Sequence, residues 1–313
     1  MSELPLDQVR TLLAVVDEGT FDAAAAALHV TPSAVSQRVK ALEQRTGRVL
    51  LVRTKPVRPT ESGQVIVRLA RQLAALEQDA RAELGIGEGP AAVRLPIAVN
   101  ADSLATWLLP ALTGALADLA AEDPRQPPVC LELHREDEAH TATLLRDGQV
   151  MAAVTSSPDP VAGCTVRPLG LARYVPAAGP AFAARWLAGR PPAEALPAAP
   201  VIVFDRRDEL QDRFVRSLTG GAAQAGPLRH LVPASEGFRD AVVAGLGWGL
   251  VPEQHAAPLL RTGALVELTP GRALDVPLYW QQWKLDVPAL ARVARAVADT
   301  AARLLVQPDA GER

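Results

Sequence analysis

A run of basic residues between Thr31 and Thr60 is the strongest chemical signal in this sequence. Glu43 is the only acid in that segment, against seven cations. The cations are Arg38, Lys40, Arg45, Arg48, Arg53, Lys55 and Arg58. A local patch of this kind attracts a polyanion even though the whole chain has a net charge of -3. The charge pattern therefore predicts that this segment binds a polyanion such as nucleic acid.

Small polar side chains within this segment fall on one face of a predicted short helix. Thr31 suits the N-cap and Pro32 suits the first helical position, while Val35 and Val39 mark the inward face. By helical geometry the outward face then carries Ser33, Ser36, Gln37 and Lys40.

This outward face has the chemistry that a DNA major groove requires. The amide of Gln37 can form a bidentate pair with adenine, and the hydroxyls of Ser33 and Ser36 can donate to bases or phosphates. Arg38 and Lys40 lie beside the face and suit phosphates, although each taken singly is equally well explained as a solvated charge. The face predicts a helix that reads base edges.

The elements around this helix predict a winged helix-turn-helix over residues 1–60. Helical spacing from Leu6 to Val16 ends at Gly19, and an alanine-rich helix follows from Phe21 to Leu28. A tight turn then leads into the helix at Pro32, which completes the helix-turn-helix. Val49 to Arg53 has the pattern of a strand, and the proline-rich loop after it has the pattern of a wing.

Residues 61–84 are predicted to form one long linker helix. Its apolar residues alternate spacings of three and four, as in the seam of a two-helix coiled coil. They are Ile66, Leu69, Leu73, Leu76 and Ala80. We expect this seam to pack against a second copy of the chain, with packing on its own domain as the alternative. The glycines after Leu84 predict a hinge over residues 85–92.

Residues 93–313 alternate strand-like and helical runs, which predicts an α/β domain. Strand-like runs cover 93–99, 129–133, 150–154, 201–204, 249–252 and 278–283. This βαβ rhythm favours mostly parallel sheets covered by helices, and the length of the region favours two lobes with a cleft between them.

The first sixty or so residues resemble the LysR-type transcriptional regulators. The resemblance is carried by Gly19-Thr20-Phe21, the Ala23–Leu28 helix, Thr31–Ser36, Leu42-Glu43 and Thr60–Gly63. It implies an amino-terminal winged helix-turn-helix, a dimerising linker helix and a two-lobed α/β effector domain of periplasmic-binding-protein type. It also implies double-stranded operator DNA and RNA polymerase as partners, and homodimers that assemble to homotetramers.

Position by position, the resemblance assigns DNA contacts to the predicted reading helix and to the wing. The base-reading face is assigned Pro32, Ser33, Ser36 and Gln37, with Arg38 and Lys40 beside it. Thr31 is also assigned to DNA binding, and the wing is assigned Arg53, Lys55 and Arg58.

Later segments resemble the ArgP/LysG subgroup, whose members control the export of basic amino acids. These segments are Asn100–Ser103, Leu144–Gly148, Ala153–Thr155, Ser235–Phe238, Gly245–Gly249 and Leu278–Trp280. The resemblance implies lysine or arginine as the effector and an amino-acid exporter gene as the target. A regulator with a different small-molecule effector is the alternative.

An amino-acid effector needs hydroxyls and helix amino termini for its carboxylate, and acids for its ammonium and side-chain cation. Ser103 and Thr155 lie at strand-to-helix junctions, so we expect them to hold the carboxylate. The acids near such junctions are Asp102, Glu136, Asp137 and Glu236. Each acid is at least as well explained as a helix cap or a solvated charge.

Trp107 is a candidate for the cleft wall, although an aromatic residue at a helical position usually belongs to a core.

Other function classes have weaker support in the sequence. No uninterrupted apolar run approaches the roughly 20 residues that span a bilayer, and the amino terminus lacks a signal-peptide pattern. We therefore expect a cytoplasmic protein without membrane contact. There is no nucleophile elbow, P-loop or metal-ligand pair, so we expect no enzyme activity, no metal and no cofactor beyond the effector. The alternatives are an enzyme, a solute-binding transport protein, and a sequence-tolerant, nucleoid-associated DNA binder.

Overall fold

A computed structural model describes residues 4–84, 92–122, 128–136, 138–285 and 287–308. The first segment forms a small head of helices with a two-stranded wing, followed by a linker helix. In chain order its elements are α1 (Leu6–Asp17), α2 (Phe21–Ala27), α3 (Pro32–Thr46), β1 (Leu51–Val52), β2 (Arg58–Pro59) and α4 (Glu61–Glu83). The predicted hinge lies outside the described residues except for Ala92.

Side-chain caps mark the starts of α2 and α3. The Thr20 hydroxyl accepts from the Ala23 N–H at 3.1 Å, and the Thr31 hydroxyl accepts from the Ala34 N–H at 3.2 Å. These bonds satisfy donors that every helix start leaves unpaired. Gly47 ends α3 in the left-handed conformation, with φ of 64°. Local sequence therefore fixes where the predicted reading helix begins and ends.

The linker helix α4 packs on the head along its first half. Ile66 is buried in the same core as Leu12, Val39 and Leu42, and Leu73 packs against that core. This part of the predicted seam therefore packs on its own domain, which is the alternative arrangement.

The second half of α4 carries apolar side chains in contact with solvent. Leu76 is 40% exposed, and Leu84, just beyond the helix, is 71% exposed.

The larger domain contains ten helical segments and nine strands within the described residues. Its first elements are β3 (Val93–Val99), α5 (Ala101–Ser103), a π-helical segment (Leu104–Leu108), α6 (Leu109–Glu122), β4 (Val129–Arg135), α7 (Glu138–Arg146), β5 (Ala152–Thr155) and β6 (Cys164–Ala178). The remaining elements are α8 (Pro180–Trp186), α9 (Pro192–Ala195), β7 (Val201–Val203), α10 (Leu210–Leu218), β8 (Arg229–Leu231), α11 (Ser235–Val243), β9 (Gly249–Pro252), α12 (Glu253–Thr262), β10 (Val266–Glu267), β11 (Leu274–Trp283) and α13 (Pro288–Leu304).

Two lobes share one curved sheet with the strand order β10-β6-β11-β5-β3-β4, and β9 pairs with the far end of β6. Lobe 1 surrounds β3, β4 and β5, and its core includes Trp107, Trp280 and Trp283. Lobe 2 surrounds β9 and the separate β7-β8 pair, with Phe214 and Trp248 in its core. The long strands β6 and β11 run through both lobes.

The expectation of mostly parallel sheets is wrong for the strands that connect the lobes. Strands β3, β4 and β5 pair in parallel, but β6 and β11 pair antiparallel from Leu274↔Tyr174 to Trp283↔Cys164. The physical reason is the route of the chain. A strand that returns from lobe 2 beside the strand that left lobe 1 must run in the opposite direction.

One helical stretch, Ala101–Ala121, is long and apolar enough to cross a membrane by length and composition. Its Trp107, Leu108 and Leu112 lie in the lobe 1 core, and α6 packs against α13. Part of this stretch is therefore buried inside the lobe.

Candidate functional site

The outward face of α3 is open to solvent. Thr31, Pro32, Ser33, Ser36, Gln37 and Lys40 are all exposed, whereas Val35 and Val39 are buried. The structure thus brings together the small polar side chains that the sequence placed on one face. We call these six exposed residues the recognition face.

Arg38 lies apart from the recognition face. It is half-buried against α1, where its Nε is 3.8 Å from Asp7 Oδ2 and its Nη1 is 3.5 Å from Thr11 Oγ1. In this arrangement the guanidinium connects α3 to α1.

The wing holds three exposed cations beside the head. Arg53, Lys55 and Arg58 are exposed, and the Arg53 guanidinium lies 5.5 Å from the centre of the Phe21 ring. The Val57 N–H donates to the Gly19 carbonyl at 2.8 Å. These contacts fix the wing against the turn before α2.

The start of α4 is pressed against the strand side of the head. A Cβ added at Gly63 would lie 1.9 Å from the Leu50 carbonyl oxygen, so only glycine allows this approach. The Leu50 N–H in turn donates to Glu43 Oε1 at 2.9 Å. The single acid of the basic segment therefore has a structural role, and the wing is fixed relative to the linker helix.

A cavity of about 510 Å³ lies between the two lobes. This volume is within the range of small-molecule sites. Lobe 1 contributes Asn100, Ala101, Asp102, Arg135 and Glu136 to its wall, and the remaining wall residues are Tyr174, Phe204, Asp205, Arg207, Asp208, Glu209, Leu210, Gln211, Arg213, Pro233, Phe238, Leu250 and Pro252.

The cavity wall is acidic overall. It contains five carboxylates and three guanidinium groups, a formal charge of -2. Carboxylates at Asp102 and Glu136 come from lobe 1, and those at Asp205 and Asp208 come from lobe 2. A wall with both signs and an acidic excess suits a ligand that carries a carboxylate and more than one cation.

A hydrogen bond joins the two sides of the cavity. The Tyr174 hydroxyl, which belongs to the lobe 2 core, donates to Asp102 Oδ2 at 2.8 Å. The Asn100 side chain caps the helix start beside it by accepting from the Ser103 N–H at 2.7 Å. The Asp102 carboxylate is therefore held at the start of α5 by a contact from lobe 2.

The Asp208 carboxyl group in the cavity wall has a pKa raised by its surroundings. It accepts from the Phe204 N–H at 2.7 Å and the Leu210 N–H at 3.0 Å. Burial raises the pKa of Asp208, and the negative charge of Asp102 raises it further. The two carboxylates are thus close enough to repel each other, which a bound cation would relieve.

The linker helix also contacts lobe 1 directly. The Arg71 guanidinium donates to the Asp147 carbonyl at 2.9 Å and pairs with Asp17 of α1 at 2.6 Å. A Cβ added at Gly148, whose φ is 71°, would lie 3.0 Å from Arg68 Cα. We call this contact of Asp17, Arg71, Asp147, Gly148 and Arg68 the linker junction. Burial raises the pKa of the Asp147 carboxyl.

Comparison with protein families covers both parts of the chain. Residues 6–64 match the family described as bacterial regulatory helix-turn-helix protein, lysR family, and residues 88–302 match the LysR substrate binding domain. The chain belongs to the LysR family. It is a DNA-binding transcriptional regulator with a domain for a small-molecule effector.

Individual LysR-family relatives match along almost the whole chain. The lysine export transcriptional regulatory protein LysG of Corynebacterium efficiens is 45% identical over 302 residues, covering 96% of this chain and 98% of its own length. The crystal structure of ArgP from Mycobacterium tuberculosis matches with a TM-score of 0.86 and 46% identity, covering 96% of this chain and 98% of that one. Full-length LysG from Corynebacterium glutamicum with bound effector Arg matches with a TM-score of 0.80 and 41% identity, covering 97% and 100%.

Two of the predicted effector residues of this LysR-family chain line the cavity, namely Asp102 and Glu136. Ser103 and Thr155 are only 2% and 1% exposed, and the Thr155 hydroxyl accepts from the Ser157 N–H at 3.2 Å. Both hydroxyls therefore lie behind the described wall.

The other predicted effector residues lie apart from the wall. Trp107 is buried in the lobe 1 core, and Glu236 is exposed on α11 outside the residues that line the cavity. Asp137 lies outside the described residues.

Sequence reasoning missed the part of the wall that lobe 2 provides. Asp205 and Asp208 follow the buried strand β7, just as Asp102 follows β3. The carboxyl end of a strand is where open α/β sheets bind ligands, so the same rule that selected Asp102 could have found these acids.

Proposed function

We propose that this LysR-family regulator responds to a basic amino acid, lysine or arginine, which modulates its operator binding or its activation of a promoter. The acidic excess of the cavity is the observation that carries the proposal, since lysine and arginine have a net charge of +1. The mixture of carboxylates with Arg135, Arg207 and Arg213 provides for both ends of such a ligand. Support comes from the structure of full-length LysG from Corynebacterium glutamicum, which contains bound effector Arg.

We propose that the target gene encodes an amino-acid exporter. The support comes from the Corynebacterium relatives named as lysine export regulatory proteins, which match over almost their whole length.

On the DNA side, we propose that Pro32, Ser33, Ser36 and Gln37 contact base edges, with Thr31 and Lys40 beside them. Their shared exposure on one face of α3 supports this. The exposed wing cations Arg53, Lys55 and Arg58 would contact the minor groove or flanking phosphates.

We propose that the working form is a homodimer that assembles to a homotetramer in the cytoplasm, with RNA polymerase as a further partner. Three exposed apolar residues, Val65 and Leu76 of α4 and Leu84 just beyond it, supply surface for the dimer contact. Measurement of mass in solution for wild type and for Leu76→Glu tests this, and an unchanged mass would contradict it.

The effector is tested by isothermal titration of the full-length protein with L-lysine, L-arginine and the neutral L-citrulline. We expect binding of at least one basic amino acid and a rise in melting temperature with its concentration. Absence of binding at millimolar lysine and arginine would leave the family intact and overturn the proposed effector.

Sequence-specific DNA binding is tested with duplexes that the full-length protein selects from a random pool. Affinity for the selected duplex is compared with affinity for random duplex at physiological salt, with and without the amino acid. We expect a clear preference for the selected duplex and a change on adding the effector. Equal affinities would favour the sequence-tolerant DNA binder.

A further inference from the structure

Asp208 and Gln211 form a polar pair in the lobe 2 wall. Both residues line the cavity, and the Gln211 side chain is hydrogen-bonded to the Asp208 carboxylate. A carboxylate accepts and does not donate, so this bond must use the Gln211 amide nitrogen. The orientation of the amide is therefore fixed, and its carbonyl oxygen faces elsewhere.

The Gln211 carbonyl oxygen has no hydrogen-bond partner among the described residues, and the residue is only 1% exposed. Buried acceptors in folded proteins are nearly always satisfied, and an exception calls for a missing donor. The position of Gln211 in the cavity wall indicates that a ligand supplies that donor.

Among the described residues of lobe 2, the charge of Asp208 has no dedicated counter-ion. Arg229 is near enough to sense it, but Arg229 donates to both oxygens of Asp212, at 2.9 Å and 2.7 Å. Across the cavity, the negative charge of Asp102 repels Asp208. The carboxylates of Asp102 and Asp208 and the amide oxygen of Gln211 thus form a group of hydrogen-bond acceptors in the cavity wall. A cation with several N–H donors would complement this group.

We propose that Asp208 and Gln211 form the subsite for the side-chain cation of the effector and set the preference for basic over neutral amino acids. This inference rests on the proposed function. Asp208 provides the opposite charge, and Gln211 both positions the Asp208 carboxylate and accepts one ligand N–H. A guanidinium, with five donors in a planar fork, can satisfy both acceptors at once.

The expected effect follows from the strength of hydrogen bonds to charged groups. Removal of the Asp208 charge is expected to weaken arginine binding by about 10- to 100-fold. Citrulline replaces the guanidinium with a neutral urea of nearly the same shape, so it senses the loss of charge far less. The ratio of the two affinities separates charge recognition from a general loss of cavity shape.

The experiment titrates L-arginine and L-citrulline into full-length wild type, Asp208→Asn, Asp208→Glu, Gln211→Met and the control Glu194→Gln. Glu194 is an exposed acid of lobe 2 outside the cavity wall, so its variant removes the same charge from the same lobe. Thermal unfolding without ligand, and binding to a selected DNA duplex, establish that each variant is folded.

We expect Asp208→Asn to lower the arginine-to-citrulline affinity ratio at least tenfold, Gln211→Met to lower it severalfold, and Asp208→Glu to restore part of it. Glu194→Gln should bind as wild type does. If wild type binds arginine but Asp208→Asn and Gln211→Met keep its ratio, the subsite is wrong while the proposed effector stands. If wild type binds neither basic amino acid, the proposed function fails and the subsite fails with it.

Discussion

The recognition face of α3 takes its polar side chains from ten consecutive residues, Thr31 to Lys40, whereas the cavity wall takes its residues from segments between Asn100 and Pro252. The face is exposed to solvent. The wall is held by hydrogen bonds between lobes, loops and helices. A substitution on the face should therefore change binding alone, and a substitution behind the wall should change folding as well.

The strongest test of this difference is Arg229→Met in lobe 2. Arg229 pairs with Asp212, whose side chain is only 12% exposed, and its loss leaves a buried carboxylate short of donors. We expect the free energy of unfolding to fall by about 3 kcal/mol, measured by urea denaturation. The matched control is Arg173→Met, whose partner Asp275 is more exposed, and which should lose less than about 1 kcal/mol.

The Arg229 prediction also has a pH signature. Hydrogen bonds from Arg229 lower the pKa of Asp212, so the pair stabilises the fold fully above the unfolded-state pKa of about 3.9. The stabilisation is lost as pH falls through the lower folded-state pKa. Wild type and variant should therefore differ at neutral pH and converge under acid. A difference that stays constant down to that range would show that the pair is not its source.

Gln37→Ala should act in the opposite way, by changing DNA recognition without changing stability. Loss of one bidentate contact is expected to remove about 2 kcal/mol of discrimination at one base position. Selection of duplexes with the variant measures this, and its melting temperature should equal that of wild type. Unchanged base preference would remove Gln37 from the base-reading residues.

Arg71→Ala tests whether the linker junction connects the two surfaces. Its guanidinium contacts Asp17 of the head and the Asp147 carbonyl of lobe 1, so its removal should reduce the effect of the amino acid on DNA affinity by about 1 kcal/mol. Arginine affinity in the absence of DNA should stay as in wild type. Arg10→Ala is the control, because Arg10 pairs with Glu77 of the linker and stays within the head and α4. Equal losses in both variants would contradict a specific role of the junction.

Lys55→Ala is expected to have the smallest effect on the preference for one duplex over another. Lys55 is an exposed wing cation, so its loss should weaken binding to selected and random duplexes alike. The slope of log affinity against log salt should fall by about 1. A variant that loses affinity for the selected duplex only would place Lys55 among the base-reading residues.

The head could be predicted from sequence because its information is local. Caps at Thr20 and Thr31 and the inward spacing of Val35 and Val39 lie within a few residues of the elements that they define. The same holds for β3, predicted and observed over 93–99, and for β9 over 249–252.

The cavity was predicted only in part because its wall depends on distant segments. Asp102 and Glu136 follow strands with a clear apolar pattern, whereas the long strand β6 has Pro168, Gly170 and Pro176 in its interior and was not predicted. These residues disfavour a strand, and pairing with β11 overrides that preference. Trp107 likewise packs in a core with Trp280 and Trp283 from the far end of the chain, so sequence could not tell wall from core.

The route of the chain through β6 and β11 has a consequence for synthesis. Lobe 1 begins with β3, but its core is filled by Trp280, Trp283, Leu290 and Val293, which follow the whole of lobe 2. During synthesis, most of lobe 2 therefore leaves the ribosome before the last segments of the lobe 1 core do. During this interval the core-facing apolar side of β3 and β5 is exposed. We expect chaperone binding to nascent chains to be highest at this stage of synthesis.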